Sequence, residues 1–192
     1  MSLNFGTWEG DSWKTGGAPA WVTGAYDPEL NLTYWGTGNP GPDWNGEERG
    51  GDNLYSDSML ALDVDTGKLK WYFQYTPHDM HDWDSTQVPI LIDSDFRGRP
   101  RRLLLHANRN GFFYVLDRQN GAFLVAEPCV KQTWAKGLDD RGRPMRFPNT
   151  FPTTGGTVVW PGVRGGLNWY SPSYSPATRL YYVVLCRRPG RG

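Results

Sequence analysis

A recurring strand-turn-strand unit constrains the fold of this chain more than any other feature. Leu60, Leu62 and Val64 alternate with Ala61, Asp63 and Asp65, a turn follows at Thr66-Gly67, and Leu69 to Tyr75 resumes an aromatic-rich extended run. A period of two broken by a tight turn is the pattern of two antiparallel strands. Leu62-Asp63 with Gly67 returns as Leu116-Asp117 with Gly121, an offset of 54 residues. A second echo, Tyr26-x-Pro28-x-x-x-Leu32-x-Tyr34, returns as Tyr174-x-Pro176-x-x-x-Leu180-x-Tyr182, an offset of 148. Taken as three periods, the longer offset gives about 49 residues per repeat, so both echoes fit a unit of about 50 residues with four short strands, the size of a β-propeller blade.

The remaining pattern agrees with an all-β chain. Candidate strands run from Leu32 to Gly36, Met59 to Val64, Leu69 to Tyr75, Val88 to Ile92, Arg102 to Ala107, Phe112 to Asp117, Ala122 to Ala126, Thr157 to Trp160 and Leu180 to Leu185, and no amphipathic helix stands out. With 24 Gly, 15 Pro, ten Trp and ten Tyr in 192 residues, the chain is turn-dense and aromatic-rich. Fewer than four units of about 50 residues fit this length, whereas closed propellers take about four to eight blades, so the chain is expected to be incomplete. Its first residues are expected to run into strand-like sequence, and its end, after Leu185, into a polar tail without a cap.

Twenty basic residues balance twenty acidic ones. No net field favours nucleic acid or an anionic membrane, and a ligand must be recognised locally. Cys129 and Cys186 lie far apart with no CxxC, which indicates neither a zinc ribbon nor a dithiol redox site, while a disulfide stays open. No apolar run is long enough for a membrane span, and MSLNFGTWEGDSWK lacks the basic and apolar regions of a signal peptide, so a soluble chain without an export signal is expected.

The chemistry is concentrated after the second strand of the repeat. His78, Asp79, His81, Asp82 and Asp84 crowd into one short segment beside Pro77 and Trp83. A strand followed by such a cluster places potential ligands and proton acceptors on a loop at the mouth of a sheet.

Five segments together carry a family resemblance: Ala61-x-Asp63-x-x-Thr66-Gly67-Lys68-x-x-Trp71-x-x-Gln74, WGTGNPGPDWN at 35–45, GDN at 51–53, PHDMHDWD at 77–84 and ANRNGFFYVLDR at 107–118. From about Thr7 to about Leu185 the chain resembles the quinoprotein alcohol dehydrogenases, the methanol and ethanol dehydrogenase family that uses pyrroloquinoline quinone (PQQ). The resemblance implies one partial PQQ-binding β-propeller domain over residues 1–192, truncated at both ends. It would hold about three to four blades of an eight-bladed propeller roughly three times as long. The Trp71 segment looks like the family's docking motif, in which an indole staples neighbouring blades.

The same resemblance implies the site. Asn39 matches the asparagine that gives a side-chain oxygen to the metal, Asp82 the catalytic aspartate that takes the substrate's hydroxyl proton, and Arg109 the arginine bonded to the reactive quinone carbonyl. Trp21 matches the indole flooring one face of PQQ, and Asn168 the asparagine on the cofactor's edge. Asp84 matches a second acid found in lanthanide-using members, and an added carboxylate two residues after Asp82 suits a trivalent ion. The metal set is then Asn39, Asp82 and Asp84, with Ca2+ or, favoured by Asp84, a lanthanide.

For the intact parent the family implies alcohol oxidation, a cytochrome c acceptor and a periplasmic location. The family's adjacent-cysteine ring, a further glutamate ligand and several PQQ-carboxylate ligands match nothing between Met1 and Gly192, so the chain alone is expected to be weakly active or inactive. His81 stands where methanol dehydrogenases commonly have an apolar or aromatic residue, which points to a different substrate pocket.

Plainer readings remain beside each residue. Asn39 could hold its own turn, Asp84 could cap one, and Arg109 could form a surface ion pair. A non-catalytic PQQ-repeat scaffold would keep Trp71 and Gly67 but has no need for Asn39, Asp82, Asp84 and Arg109 together. A His/Asp metallohydrolase on His78, His81 and Asp82 would need more histidines than the one other, His106.

Overall fold

The structure is a computed structural model and describes residues 7–186 together with the backbone of 190 and 191. Strands β1 (Ala25–Asp27), β2 (Leu32–Gly36), β3 (Ser58–Asp63) and β4 (Leu69–Gln74) form one four-stranded antiparallel sheet in chain order. Strands β5 (Ile90–Phe96), β6 (Arg99–Ala107), β7 (Phe112–Asp117) and β8 (Phe123–Pro128) form a second of the same design. The remaining strands pair in twos: β9 (Ala135–Leu138) with β10 (Pro144–Arg146), β11 (Val158–Val159) with β14 (Gly190–Arg191), and β12 (Ser173–Ser175) with β13 (Leu180–Tyr182). Helix among the described residues is limited to 3-10 turns, the longest the four residues Gly46–Arg49, so no helix is long and apolar enough to cross a membrane.

Both sequence echoes mark real repeats. The 54-residue echo is the hairpin joining the third and fourth strands of each sheet. Gly67 N donates to Asp63 O at 2.8 Å, and Gly121 N donates to Asp117 O at 2.8 Å. The β3–β4 ladder slips between Ala61 and Leu62 and the β7–β8 ladder between Val115 and Leu116, which are the same two positions of the unit. The turn forms because Asp63 Oδ1 accepts from Thr66 N (2.9 Å) and Thr66 Oγ1 (2.7 Å), an Asx turn closed by Gly67 at φ +65°. The 148-residue echo joins β1–β2 to β12–β13, where Tyr26 pairs with Thr33 as Tyr174 pairs with Tyr181.

The period arithmetic needs correction. Only one complete four-stranded sheet separates the two members of the longer echo, so 148 residues are two steps rather than three. The surplus lies in the excursion that carries β9, β10 and β11. Of the three to four blades expected, the described residues hold two complete sheets and a hairpin that repeats the start of one.

Strand boundaries also move. The expected strand at Thr157 to Trp160 shrinks to β11, that at Leu180 to Leu185 ends at Tyr182, and β1, β9, β10 and β12 were not among the expected strands. The strand-like reading of the chain's start and its polar tail fall on residues 1–6, 187–189 and 192, outside the described residues; Trp8, just inside them, sits in a turn with its indole N–H donating to Leu54 O.

The two sheets pack face to face. Tyr34, Met59, Ala61, Trp71 and Phe73 of the first meet Leu104, Phe112, Tyr114 and Leu116 of the second in one core, closed at the loop end by Trp83 and Trp134. The buried face of β3 is therefore Met59 and Ala61. Leu60 and Leu62 are half-buried and Val64 is exposed on the other side, contrary to a simple reading of the leucine alternation as the core face. A sheet apolar on both faces is one built to be sandwiched. Trp71 lies opposite Ala61, whose small side chain leaves room for the indole. It stacks over Gly121, where any Cβ would strike the ring, and its N–H donates to Arg118 O at 3.1 Å. Val125 takes the equivalent place in the second sheet, in a smaller cluster covered by Tyr174 and Tyr181 of the β12–β13 hairpin.

Candidate active site at the loop rim

Three loops meet beyond the strand ends nearest Gly36, Tyr75 and Ala107. The first, after β2, brings Asn39; the second, after β4, brings Asp82 and Asp84; the third, between β6 and β7, brings Arg109. Arg109 joins them. Its Nη1 donates to Asp84 Oδ2 at 2.6 Å, and its Nη2 donates to Asp82 Oδ2 at 3.3 Å and to Val163 O at 2.7 Å. Asp84 Oδ1 accepts the backbone N–H of Asn39 at 3.0 Å. Gly38 permits this approach, because a Cβ there would collide with Asp84 Oδ1. Four of the six expected residues are thus one connected group, and Arg109 is a buried clamp rather than a surface ion pair.

The conformation of the second loop follows from a buried carboxylate beside the histidines. Asp79 accepts the N–H of His81 on Oδ1 (2.9 Å) and of Trp83 on Oδ2 (2.7 Å), which curls the chain and leaves Asp82 in the left-handed region at φ +58°. Trp83 anchors the curl: its ring is fully buried against His81 (4.2 Å) and Trp134 (4.8 Å), and its N–H donates to Gly162 O at 2.9 Å. His81 is accordingly a packing residue with its pKa driven down to about 3 by burial, and it does not stand free in a substrate pocket.

The three histidines do not converge. His78 Nδ1 is held at Gly51 O, His81 stacks on Trp83, and His106 stacks on Tyr75 in the core with Nε2 at Gln87 O. That arrangement removes the metallohydrolase reading. Both cysteines are free thiols, so no disulfide forms among the described residues.

Two further residues belong to this rim, and sequence reasoning passed over both. The Asp43 carboxyl contacts Asn39 Nδ2, and its pKa is raised by burial and by the negative charge of Asp84. Arg49, fully buried, donates to the carbonyls of Pro42 (3.1 Å), Asp43 (2.8 Å) and Asp79 and to Asn53 Oδ1 (2.7 Å), tying the first loop to the second. Both sit in polar, Gly- and Pro-rich sequence that reads as exposed turn, so no periodic signal could have found them.

The electrostatics are those of carboxylate excess. Burial first, then neighbouring Asp84, Asp43 and Asp79, push the Asp82 pKa up to about 6 despite Arg109. Asp57 is fully buried with neither carboxyl oxygen hydrogen-bonded, and burial and the charges of Asp79 and Asp84 raise it well above the carboxylate range. Its backbone joins the loops, since Asp57 N donates to Gly38 O (2.9 Å) and Asp57 O accepts from Tyr75 N (2.8 Å).

The last two expected residues stand apart from the clamp. Trp21 is 49% exposed, two residues beyond Pro19, whose carbonyl accepts Gly38 N at 2.7 Å. Asn168 spends its side chain locally, on Arg164 O (3.3 Å) and Trp169 N (2.8 Å). Its loop nevertheless docks on the clamp, because Gly166 N donates to Arg109 O at 2.8 Å. No three His, Cys, Asp or Glu side chains among the described residues are grouped to hold a metal by themselves.

Paired four-stranded antiparallel sheets, stapled by a tryptophan and carrying an arginine-carboxylate rim at one end, define a β-propeller with its site at the loop mouth. The family model for the glucose/ethanol/alcohol dehydrogenase β-propeller domain, short name PQQ, matches residues 2–138, and the chain belongs to this family. Quinohemoprotein alcohol dehydrogenase ADH IIB of Pseudomonas putida is 47% identical over 190 residues, covering 96% of this chain and 27% of the relative. Quinoprotein alcohol dehydrogenase PedH of Pseudomonas putida is 48% identical over 185 residues, covering 92% of this chain and 31% of the relative. Among solved structures, a europium-containing methanol dehydrogenase superposes with a TM-score of 0.89 at 42% identity, over 93% of this chain and 32% of that one. The chain therefore spans less than a third of the length of these proteins.

Proposed function

We propose that the rim built by Asn39, Asp82, Asp84 and Arg109 is the metal-facing part of a PQQ-dependent alcohol dehydrogenase site. The observation that carries this reading is the single buried guanidinium bridging two carboxylates, one of them also bonded to the Asn39 backbone. The donor set fits a hard, highly charged cation. Carboxylate and carboxamide oxygens are its preferred ligands, and the negative charge that raises Asp82 is what such an ion would neutralise. Two acids, Asp82 and Asp84, with Asn39 suit a lanthanide better than Ca2+, in keeping with a europium-containing structural neighbour.

When bound, PQQ supplies the two-electron acceptor for the hydride of an alcohol, and the cation polarises its carbonyl. The chain's own residues do the rest. Asp82 shares Oδ2 with Arg109 and keeps Oδ1 to receive the hydroxyl proton as a general base. Arg109 is a fixed donor fork for the oxygen that gains charge on reduction. Trp21 offers an exposed indole face to a planar cofactor, and Asn168 an amide to its edge, once its local turn opens. In the intact parent, a cytochrome c in the periplasm would serve as the electron acceptor.

Fluorescence quenching of the chain by PQQ, titrated with Ca2+ against La3+, tests the reading. Saturable quenching that needs metal, is tighter with La3+ and is lost in Asp84→Ala is the expected result. Equal quenching without metal would exclude a metal-facing site.

A further inference from the structure

We propose that Asp43 is a positioning residue that turns the Asn39 carboxamide so that its oxygen faces the cation, a role that rests on the metal-site reading above. The geometry leaves the amide one orientation. Asn39 Nδ2 meets two acceptors, Pro40 O at 3.3 Å and the Asp43 carboxylate. A carbonyl and a carboxylate both only accept, so a flipped amide would set oxygen against oxygen on that side. Asn39 Oδ1 takes no hydrogen bond from any described residue, while the backbone N–H of the same residue is fixed on Asp84. The amide oxygen is therefore the spare ligand, rooted beside the Asp84 carboxylate.

Asp43 can do this because its own position is not left to a surface turn. Arg49 holds the carbonyls of Pro42 and Asp43 from beneath and reaches on to Asp79, the residue that curls the Asp82 loop. Asparagine needs such a partner more than aspartate would. A carboxylate presents oxygen whichever way it turns, whereas a carboxamide presents an N–H2 donor to the cation half the time unless something holds it. Partners that orient metal ligands commonly change affinity by about 10- to 100-fold when removed.

Terbium(III) alone, titrated into the 192-residue chain and followed by tryptophan-sensitised luminescence, separates the possibilities, with circular dichroism confirming that each variant keeps its β signature. Asp43→Ala is expected to weaken terbium binding by about 10- to 100-fold and, by freeing Asn39 to rotate, to let one more water onto the ion, read from lifetimes in H2O and D2O. Asp43→Asn keeps an acceptor oxygen and should restore most of the affinity and the original water count. In an Asn39→Asp background there is no amide to orient, so Asp43→Ala should no longer weaken binding.

Unchanged affinity and hydration in Asp43→Ala would overturn the inference and leave the metal site standing. A loss in Asp43→Asn as large as in Asp43→Ala, persisting in Asn39→Asp, would overturn it by making Asp43 a charged ligand in its own right. No terbium binding by the unaltered chain would sink the metal-site reading, and this inference with it.

Discussion

Arg118 and Arg109 stand just outside opposite ends of β7, both with about 5% of their surface exposed, and their surroundings are opposite in charge balance. At the Arg118 end the charges are paired. Its Nε donates to Asp27 (2.6 Å), its Nη1 to Asp93 (2.5 Å) and Ile92 O (2.8 Å), while its own carbonyl accepts from Trp71 and Tyr34. Burial alone would raise Asp27, but the hydrogen bond and charge of Arg118, with the N–H groups of Leu30 and Glu29, hold it below the carboxylate range. At the Arg109 end carboxylates outnumber cations, Asp82 is pushed up, and Asp57, His81 Nε2 and Arg109 Nε are buried without partners. One end of the strand is built to hold two sheets together. The other stores unbalanced charge and left-handed backbone at Asp57, His78 and Asp82, a pattern that functional sites sustain at the expense of stability.

The largest expected effect is at the paired end. Arg118→Leu keeps the carbonyl for Trp71 and Tyr34 but strands the buried Asp27, and should cost about 3–5 kcal/mol in urea unfolding. A loss near zero would mean that the pair is ornamental and the contrast with Arg109 empty. Next comes a contrast of sign. Asp27→Asn should lower stability by about 1–3 kcal/mol through a lost charge-assisted bond, whereas Asp57→Asn should raise it by about 1–2 kcal/mol near neutral pH by removing a buried carboxyl whose ionisation folding suppresses. Asparagine tolerates the φ of +47° at position 57, so backbone strain does not confound the second variant. Destabilisation by both would refute charge excess at the rim.

pH sharpens the comparison further. Asp27 has a depressed folded pKa, so its contribution is present above the unfolded value of about 3.8 and is lost as pH falls through the folded one. Asp82 runs the other way: with a folded pKa of about 6, its advantage is complete below about 3.8 and is lost as pH rises towards 6. Metal-free stability curves should therefore lose their decline between about pH 4 and 6 in Asp82→Asn, while lanthanide affinity in the unaltered chain should rise over the same range as Asp82 ionises. The smallest effect is expected at the outer edge of the first sheet, where Val64 is 46% exposed; Val64→Thr should change stability by no more than about 0.5 kcal/mol.

What could be read from sequence divides along the same line. The hairpins were legible because a two-residue period and an Asp-x-x-x-Gly turn are local, and they recur with matching ladder slips at Ala61 and Val115. The clamp was legible only through resemblance, since nothing local announces that Arg109 meets Asp84 across 25 positions of chain. Asp43 and Arg49 were not legible at all. Their roles arise where two irregular loops cross, and their neighbours in sequence are those of an ordinary polar turn. The division of the longer echo into three steps slipped for a related reason: the excursion through β9, β10 and β11 has no period, so arithmetic on the echoes absorbed it as a third unit.

The meeting of Gly38 and Asp84 limits the routes by which such a site can change. Asp84 Oδ1 fills the volume that any side chain at position 38 would need, so the acid and the glycine form one unit of inheritance. Loss of Asp84 would have to come before a larger residue at 38, and even then Pro19, 3.0 Å from the same Cβ, would have to give way. The reverse order would pass through a clash with the Asp84 carboxylate. Regaining the acid is harder than losing it, because it first requires a reversion to glycine that confers nothing until Asp84 returns.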